Sequence, residues 1–307
     1  MRGRTSEAKA RRRQGTGMIT RGIVLAGGTG TRLHPITLGV SKQLLPVYNK
    51  PMIYYPLSVL MHSGIRDILI ITTPDDQPQF KRLLGSGAQW GVRVQFTVQE
   101  RPDGLAQAFI LGRSFLESGP GALVLGDNLF FGHTLPEMLK RAVMRQKGAT
   151  VFAHHVTDPK RYGVVTIDGN GRATAIEEKP QNPASHWAVT GLYFYDERIC
   201  DIAAKVKPSA RGELEITAVN QAYLEIGELH VELMGRGFAW LDAGTTDALL
   251  DASNLVQVME RRQGLSIASL EEIAFRQGWI DKTALLELAR KLGQTPYAKY
   301  LRRVSED

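Results

Sequence analysis

The sequence predicts an α/β protein built on a mixed, mostly parallel sheet, with helices on both faces and antiparallel additions in its second half. Three observations carry this. In the first half, short apolar runs alternate with segments of helical spacing, at the interval that produces βαβ units. Two of those runs, Gly22–Ala26 (GIVLA) and Asp67–Thr72 (DILIIT), are apolar without alternation through their centres, as strands covered on both faces are. In the second half, two strand-like runs are joined by Asp168-Gly169-Asn170-Gly171, whose residues tolerate positive φ and so signal a hairpin.

The elements follow in order. Gly22–Ala26 reads as a buried strand and Gly27–Leu33 as a glycine-rich loop. Met52–His62 has helical spacing, Asp67–Thr72 is a strand, and Phe80–Leu84 belongs to a helix. Val92–Val98 alternates as a strand does, Gly104–Leu116 reads as one helix, and Ala122–Leu125 returns to strand. Thr150–Val156, Val164–Ile167, Ala173–Glu178, Val189–Tyr195 and Val231–Met234 are the strands of the second half. Residues 246–262 and 270–292 are helical, with Gly264 and Gly278 as interruptions. Residues 18–262 are expected to form one catalytic domain, with 263–307 a helical extension packed on it.

The bulk numbers suit such a fold. The chain has 307 residues, 43% hydrophobic and 22% charged, ordinary values for a globular protein with a proper core. Its net charge of +7 could suggest a nucleic-acid binder, but the distribution argues otherwise. Arg2, Arg4, Lys9, Arg11, Arg12 and Arg13 face only Glu7 within residues 1–17, a net +5, which leaves +2 for the rest. The basic character belongs to a tail with little apolar surface to bury, expected to be disordered, and not to a folded patch. Met18 is an alternative start, with the tail an upstream addition. No apolar run approaches the roughly 20 residues of a membrane span, and no secretory core is visible. Nucleic-acid and membrane partners are therefore not expected. Cys200 is the single cysteine, so no internal disulfide forms, which fits a reducing cytoplasm.

The chemistry begins at Leu25-Ala26-Gly27-Gly28-Thr29-Gly30-Thr31-Arg32-Leu33, directly after a strand. Glycines let a backbone approach phosphate oxygens, successive N–H groups can cradle an anion, and Arg32 offers a guanidinium suited to bidentate contact. The same residues serve equally as a tight strand-to-helix turn. No Gly-Lys-Ser/Thr follows, and Leu33 breaks the G-x-G-x-x-G pattern, so a P-loop kinase and a nicotinamide site are both disfavoured. Lys42 is the next basic residue, ahead of an apolar run. Asp127 lies just after an apolar strand, where open α/β sheets carry ligands, and Asp242 follows the apolar, strand-like run 237–241; if the sheet is parallel there, both strands end at the same edge of it, above the glycine loop.

Residues 22–46, GIVLAGGTGTRLHPITLGVSKQLLP, resemble the signature of the sugar nucleotidyltransferases, also called nucleoside-diphosphate-sugar pyrophosphorylases. Further segments resemble the thymidylyltransferase branch and occur in family order over about residues 18–300. They include Gln99 with Pro102-Asp103-Gly104-Leu105-Ala106-Gln107-Ala108, Leu125-Gly126-Asp127-Asn128, Arg161-Tyr162-Gly163-Val164-Val165, Glu177-Glu178-Lys179-Pro180 and Val189-Thr190-Gly191-Leu192-Tyr193. Arg211-Gly212-Glu213-Leu214-Glu215-Ile216-Thr217 and Trp240-Leu241-Asp242-Ala243-Gly244-Thr245 complete the set.

The resemblance implies a Rossmann-like fold whose antiparallel strands wall a sugar site. It implies transfer of a thymidylyl group from dTTP to glucose 1-phosphate, giving dTDP-glucose and pyrophosphate by in-line displacement. A uridylyltransferase using UTP is the alternative. Arg32 and Lys42 would be the catalytic cations, with Leu25, Gly27, Gly28 and Gly30 along the triphosphate. Gln99, Pro102, Asp103, Gly104 and Leu105 would read the base; taken alone, Pro102-Asp103-Gly104 is also simply a β-turn. Tyr162, Gly163, Glu178, Lys179, Val189 and Arg211 would surround the sugar phosphate. Asp127 and Asp242 would hold Mg²⁺, an ion satisfied by one or two carboxylates with water and substrate phosphates. Gly132, His133, Gly235 and Arg236 resemble segments of a regulatory nucleotide site, with Phe131 in place of a frequent tyrosine. The chain also departs from the usual pattern at Ala218 and Ala243. A cytoplasmic homotetramer feeding deoxysugar synthesis, such as that of rhamnose, is the remaining implication.

Overall fold

The computed structural model describes residues 18–28 and 30–306. The expected disordered tail falls on residues 1–17 and lies outside the described residues. β1 (Arg21–Ala26) leads into the glycine loop, and a short ribbon of β2 (Pro46–Val47) and β3 (Lys50–Pro51) precedes α1 (Tyr54–His62). The alternation continues through β4 (Asp67–Thr72), α2 (Gln77–Leu84) and β5 (Arg93–Val98). The single helix expected over 104–116 is instead two, α3 (Gln107–Leu111) and α4 (Arg113–Leu116). They part at Gly112, where a Cβ would lie 2.7 Å from the Ile23 side chain, so the close approach to β1 demands the glycine that weakens the helix.

β6 (Gly121–Leu125) is followed at once by β7 (Asn128–Phe131), then by α5 (Leu135–Met144). β8 (Ala149–His155), β9 (Gly163–Ile167), β10 (Ala173–Glu178) and β11 (Trp187–Tyr195) form the second half of the sheet. The chain continues through α6 (Ile199–Ala203), α7 (Ile216–Glu225), β12 (Leu229–Met234) and β13 (Ala239–Asp242). It ends with α8 (Thr246–Gln263), α9 (Leu270–Arg276), α10 (Lys282–Lys291) and α11 (Pro296–Val304). Among the described residues, no helix is long and apolar enough to cross a membrane.

β5, β4, β1 and β6 run parallel in that order. β11 joins β6 antiparallel, and β9, β10, β8 and β12 extend the sheet beyond it. The expected parallel half with antiparallel additions is therefore observed, including the β9–β10 hairpin at Asp168–Gly171. Its Asp168 carboxylate accepts the Asn170 and Arg172 N–H groups at 2.8 and 2.9 Å, closing the turn. Both sheet faces are covered, which explains the unbroken apolar runs. Val24, Ile68, Ile70 and Val124 face the core shared with α1, α2 and α5. Ile23, Leu25, Leu69, Ile71 and Leu123 face the opposite core, under α3, α6 and α7. α9 packs on α1 through Leu270, Ile273 and Ala274, whereas α10 and α11 close a small core of their own around Leu285 and Leu301.

α8 is fastened to the β2–β3 ribbon by a buried ion pair. The Lys50 side chain is only 2% exposed, and its Nζ donates to Glu260 Oε1 at 2.8 Å and Ser266 Oγ at 3.0 Å. Burial pulls the Lys50 pKa down against the opposing effect of Glu260. Removing one partner of such a pair strands the other charge. Glu260→Leu is expected to cost about 3–5 kcal/mol in urea denaturation, with Lys50→Met added in the same chain restoring most of it. An unchanged midpoint in the single variant would mean that the ammonium reaches water.

Candidate active site

The glycine loop leaves the sheet between two amide side chains. A Cβ on Gly27 would lie 2.7 Å from Gln99 Oε1, so a larger residue there would push the Gln99 amide aside. On the other side, Gln43 Nε2 reaches the Gly27 carbonyl at 3.4 Å. Gly28 and Gly30 adopt φ of 98° and 60°, the left-handed region that favours glycine. The turn then closes through Leu33 N to Gly30 O at 2.9 Å and presents Arg32 on its exposed face.

Asp127 follows β6, at the same sheet edge as the end of β1. Asp242 arrives by a different route from the one expected. β13 is not a strand of the main sheet. It pairs antiparallel with β7 in a separate ribbon, with Asp242 opposite Asn128. The Ala243 N–H donates to the Asp127 carbonyl at 3.1 Å, so the two aspartates are fixed as neighbours by backbone bonds. Lys42 donates from Nζ to Asp127 Oδ2. Asn128 Nδ2 donates to Asp127 Oδ1 at 3.0 Å, and Asn128 Oδ1 accepts from Trp240 Nε1 at 2.6 Å and Gly191 N at 3.1 Å. The Arg32 guanidinium and Asp242 Oδ1 both flank Gly244, at 2.8 and 2.9 Å from where a Cβ would stand.

The pair is electrostatically uneven. Burial acts to raise the Asp127 carboxyl, but the Lys42 charge and its hydrogen bond outweigh it and hold Asp127 below the usual carboxylate range. Asp242 is pushed up, by burial first and by the Asp127 charge second, against the pull of Lys42, Arg32 and Arg161. The donor set is thus two neighbouring carboxylates, one paired with Lys42 and the other without a direct ion pair among the described residues.

Beside them opens a cavity of about 290 Å³ between the main sheet, the ribbon and the segment before α7. Tyr162 and Trp240 form one wall, with ring centroids 5.0 Å apart. Glu178 reaches in from the end of β10 and accepts from Thr217 Oγ1 at 2.5 Å and from the Arg211 guanidinium at 3.3 Å. Lys179 takes φ of 44°, outside the strand conformation, and its Nζ lies 3.5 Å from Glu178. Gly163 and Val189 complete the floor. A larger cavity, about 580 Å³ beside β12, holds Arg145, Arg172 and His230 but no opposed carboxylates.

The residues expected to read the base form a separate group. Gly104 takes φ of 112°, and a Cβ there would overlap the Leu214 backbone. Leu214 N donates to Asp103 O at 2.7 Å, and Ala106 N to Leu214 O at 3.0 Å. Leu105 lines the sugar-side cavity; Pro102 is exposed and Leu25 is buried in the strand. The four residues of the expected regulatory site lie outside the cavity. The Phe238 ring covers Gly132, and Phe238 N donates to Gly235 O at 3.3 Å, which brings the two segments together while His133 and Arg236 remain exposed. Sequence reasoning gave no role to Asn128, Trp240, Thr217 or Arg161, all of which line the cavity. Each stands inside a segment that resembles the family, which was the available signal.

Residues 21–258 match the Nucleotidyl transferase family. A glucose-1-phosphate thymidylyltransferase of Xanthomonas campestris pv. campestris (strain B100) is 59% identical over 92% of this chain and 95% of its own. One of Mycobacterium tuberculosis (strain ATCC 25618 / H37Rv) is 55% identical over 93% of this chain and 99% of its own. A Bacillus anthracis crystal structure with sucrose, named provisionally as a glucose-1-phosphate thymidylyltransferase, is 42% identical. It aligns at a TM-score of 0.71 over 76% of this chain and 94% of that one. A UDP-glucose pyrophosphorylase bound to UDP-glucose, 24% identical, aligns at 0.70 over 79% of this chain and 100% of that one, and shares the fold. The match spans the glycine loop, both aspartates and the cavity between them, and this protein belongs to the nucleotidyl transferase family.

Proposed function

We propose that this protein is a glucose-1-phosphate thymidylyltransferase, transferring a thymidylyl group from dTTP to glucose 1-phosphate to give dTDP-glucose and pyrophosphate. The observation that carries the reading is the neighbouring pair Asp127 and Asp242, with Arg32 and Lys42 on it, between a glycine loop and a cavity lined by Glu178, Lys179 and Arg211. The names of relatives more than half identical over nearly the whole chain supply the substrates. The UDP-glucose enzyme is too distant to favour uridylyl transfer.

The chemistry is an in-line displacement. A phosphate oxygen of glucose 1-phosphate forms a bond to the α-phosphorus of dTTP. The bond from that phosphorus to the bridging oxygen breaks, and pyrophosphate leaves with the electron pair. Two anions must meet, so the site needs fixed positive charge more than a base. Gly27, Gly28 and Gly30 give the triphosphate a backbone cradle, and Arg32 and Lys42 lower the negative potential where it is transferred. Gln99, with the Asp103–Leu105 turn, reads the base. Glu178 accepts from sugar hydroxyls, while Lys179 and Arg211 hold the sugar phosphate. Asp127 and Asp242 are suited to Mg²⁺, since two adjacent carboxylates leave room for water and phosphate oxygens. When bound there, the ion neutralises charge that builds on the departing pyrophosphate. On the same reading the protein is a cytoplasmic homotetramer whose product feeds deoxysugar synthesis, and Gly132, His133, Gly235 and Arg236 form a regulatory nucleotide site. The resemblance is the support for these.

The direct experiment is pyrophosphate release on mixing the protein with glucose 1-phosphate and each nucleoside triphosphate. We expect dTTP to be preferred and UTP to be used measurably, because one methyl group discriminates by only about 1–3 kcal/mol. Complete inactivity with dTTP would overturn the function; complete inactivity with UTP would overturn the apolar account of base choice.

Lys179→Ala should weaken use of glucose 1-phosphate by about tenfold or more, the loss of a charge-assisted contact, while dTTP affinity changes little. Collapse of triphosphate affinity instead would assign Lys179 to the other ligand.

Asp127→Asn and Asp242→Asn should each fold and lose at least about 100-fold in turnover, with partial recovery in excess Mg²⁺. Their stabilities should differ in sign. Asp242 has a raised pKa in the folded protein, so the stability present at acid pH is lost as pH rises through that folded value. Asp242→Asn avoids the loss and should melt higher than the parent at neutral pH without Mg²⁺. Asp127 has a lowered pKa, so its ionised form contributes stability above the usual carboxylate range, and Asp127→Asn should melt lower. Near-normal turnover with an unchanged Mg²⁺ requirement would reduce the aspartates to strand-end caps.

A further inference from the structure

Gln107 has no role in the reading above, yet it occupies the middle of a directed chain of hydrogen bonds. Gln107 Nε2 donates to Asp103 Oδ2 at 3.0 Å, and Gln99 Nε2 donates to Gln107 Oε1 at 2.6 Å. The direction follows from chemistry and not from how an amide is drawn. A carboxylate oxygen accepts and an amide offers NH₂ at one end and C=O at the other. Asp103 therefore takes the NH₂ end of Gln107, which turns the Gln107 carbonyl toward Gln99. Gln99 must answer with its own NH₂ end. A second acceptor points the same way, because the Gly104 carbonyl faces Gln99 Nε2 at 3.5 Å.

The result is that Gln99, only 5% exposed, has its carbonyl oxygen turned toward the glycine loop, 2.7 Å from where a Cβ on Gly27 would stand. Among the described residues, no side chain or backbone group donates to that oxygen. Had the amide been free to turn over, it could have offered either end to a base.

We propose that Asp103 and Gln107 are positioning residues that lock the Gln99 amide with its acceptor toward the nucleotide, so that the site selects bases carrying a ring N–H and rejects cytosine. This rests on the thymidylyl reading and extends it. Thymine and uracil present an N3–H donor to a fixed acceptor. Cytosine presents a lone pair at the same position, so two acceptors meet and a partly buried carbonyl loses its partner. An apolar contact with the thymine methyl could not make this distinction, whereas the polarity of one amide can.

The test uses the intact protein and reads binding as well as turnover. Affinities for dTTP and dCTP are measured by calorimetry without sugar phosphate, and kcat/KM for both with glucose 1-phosphate. Gln107→Met keeps the shape and removes the acceptor. The ratio of dTTP to dCTP affinity should fall by about tenfold or more, through weaker dTTP and stronger dCTP binding, with an unchanged Tm. Gln107→Glu keeps an acceptor for Gln99 but sets a second carboxylate against Asp103, so it is combined with Asp103→Asn, whose NH₂ can answer it; the double variant should hold the ratio near that of the parent. A folded Gln107→Met protein with the parent's ratio would overturn the proposal. So would an Asp103→Asn/Gln107→Glu protein that loses discrimination as fully as the Met variant, since packing and not polarity would then matter. Failure of the parent to turn over dTTP would count against the proposed function, while the binding ratios would still decide the role of Gln107.

Discussion

Asp127 and Asp242 are forced together by backbone hydrogen bonds, and much of the surrounding structure answers their repulsion. The β7–β13 pairing sets Asp242 opposite Asn128, and the Ala243 N–H closes on the Asp127 carbonyl. Neither carboxylate can move away without breaking that ribbon. The protein relieves one of them with Lys42 and leaves the other strained upward in pKa. Arg32 approaches Asp242 through space that Gly244 keeps clear. Two half-buried like charges are costly, and Lys42, Arg32 and Arg161 offset that cost in part.

Asn128 shows how the arrangement is made rigid. Its amide NH₂ orients Asp127, while its carbonyl gathers the Trp240 indole from β13 and the Gly191 N–H from β11. One side chain thus ties the ribbon, the main sheet and a carboxylate into a single node. Gly191 is a necessary part of it, because a Cβ there would stand 2.7 Å from Asn128 Oδ1 and from the Leu125 side chain. Trp240, held by this bond, then meets the Tyr162 ring at a 60° tilt to form the cavity wall. The geometry of the carboxylates and the shape of the sugar-side cavity therefore share one support.

What the sequence revealed, and what it hid, follows from the range of the interactions. β1, β4 and the β9–β10 hairpin were legible because their signals are local: unbroken apolar runs, and an Asp-Gly-Asn-Gly turn closed by its own aspartate. The break at Gly112 was not, because Ile23, far away in sequence, imposes it. The β7–β13 ribbon was hidden for the same reason. Each strand has four residues, too few for periodicity to speak, and their register joins segments over a hundred positions apart. Asp127 and Asp242 were found by type and context, but the path that brings Asp242 to the site was read wrongly as a strand of the main sheet. Gln107 carried no signal beyond its place in a segment that resembles the family, since its role lies in the direction of two hydrogen bonds.

On the proposed function, the two substrate subsites are also mechanically joined, at Leu214. The turn that carries Asp103 and Gly104 is stapled to the Leu214 backbone by two hydrogen bonds and by a contact so close that only glycine fits. Leu214 lies between Arg211 and Glu215, which bond each other at 2.8 Å, and Arg211 also reaches Glu178. A displacement of the base-side turn must therefore drag the segment that meets the sugar phosphate. Direct displacement requires the attacking oxygen and the α-phosphorus to be aligned within a narrow range of distance and angle. Had the two subsites been built on independent loops, each ligand could bind well while the reacting atoms missed. Sharing one backbone segment makes correct seating of the base a condition for correct seating of the nucleophile, so that selectivity for the base is expressed in the rate of transfer as well as in affinity.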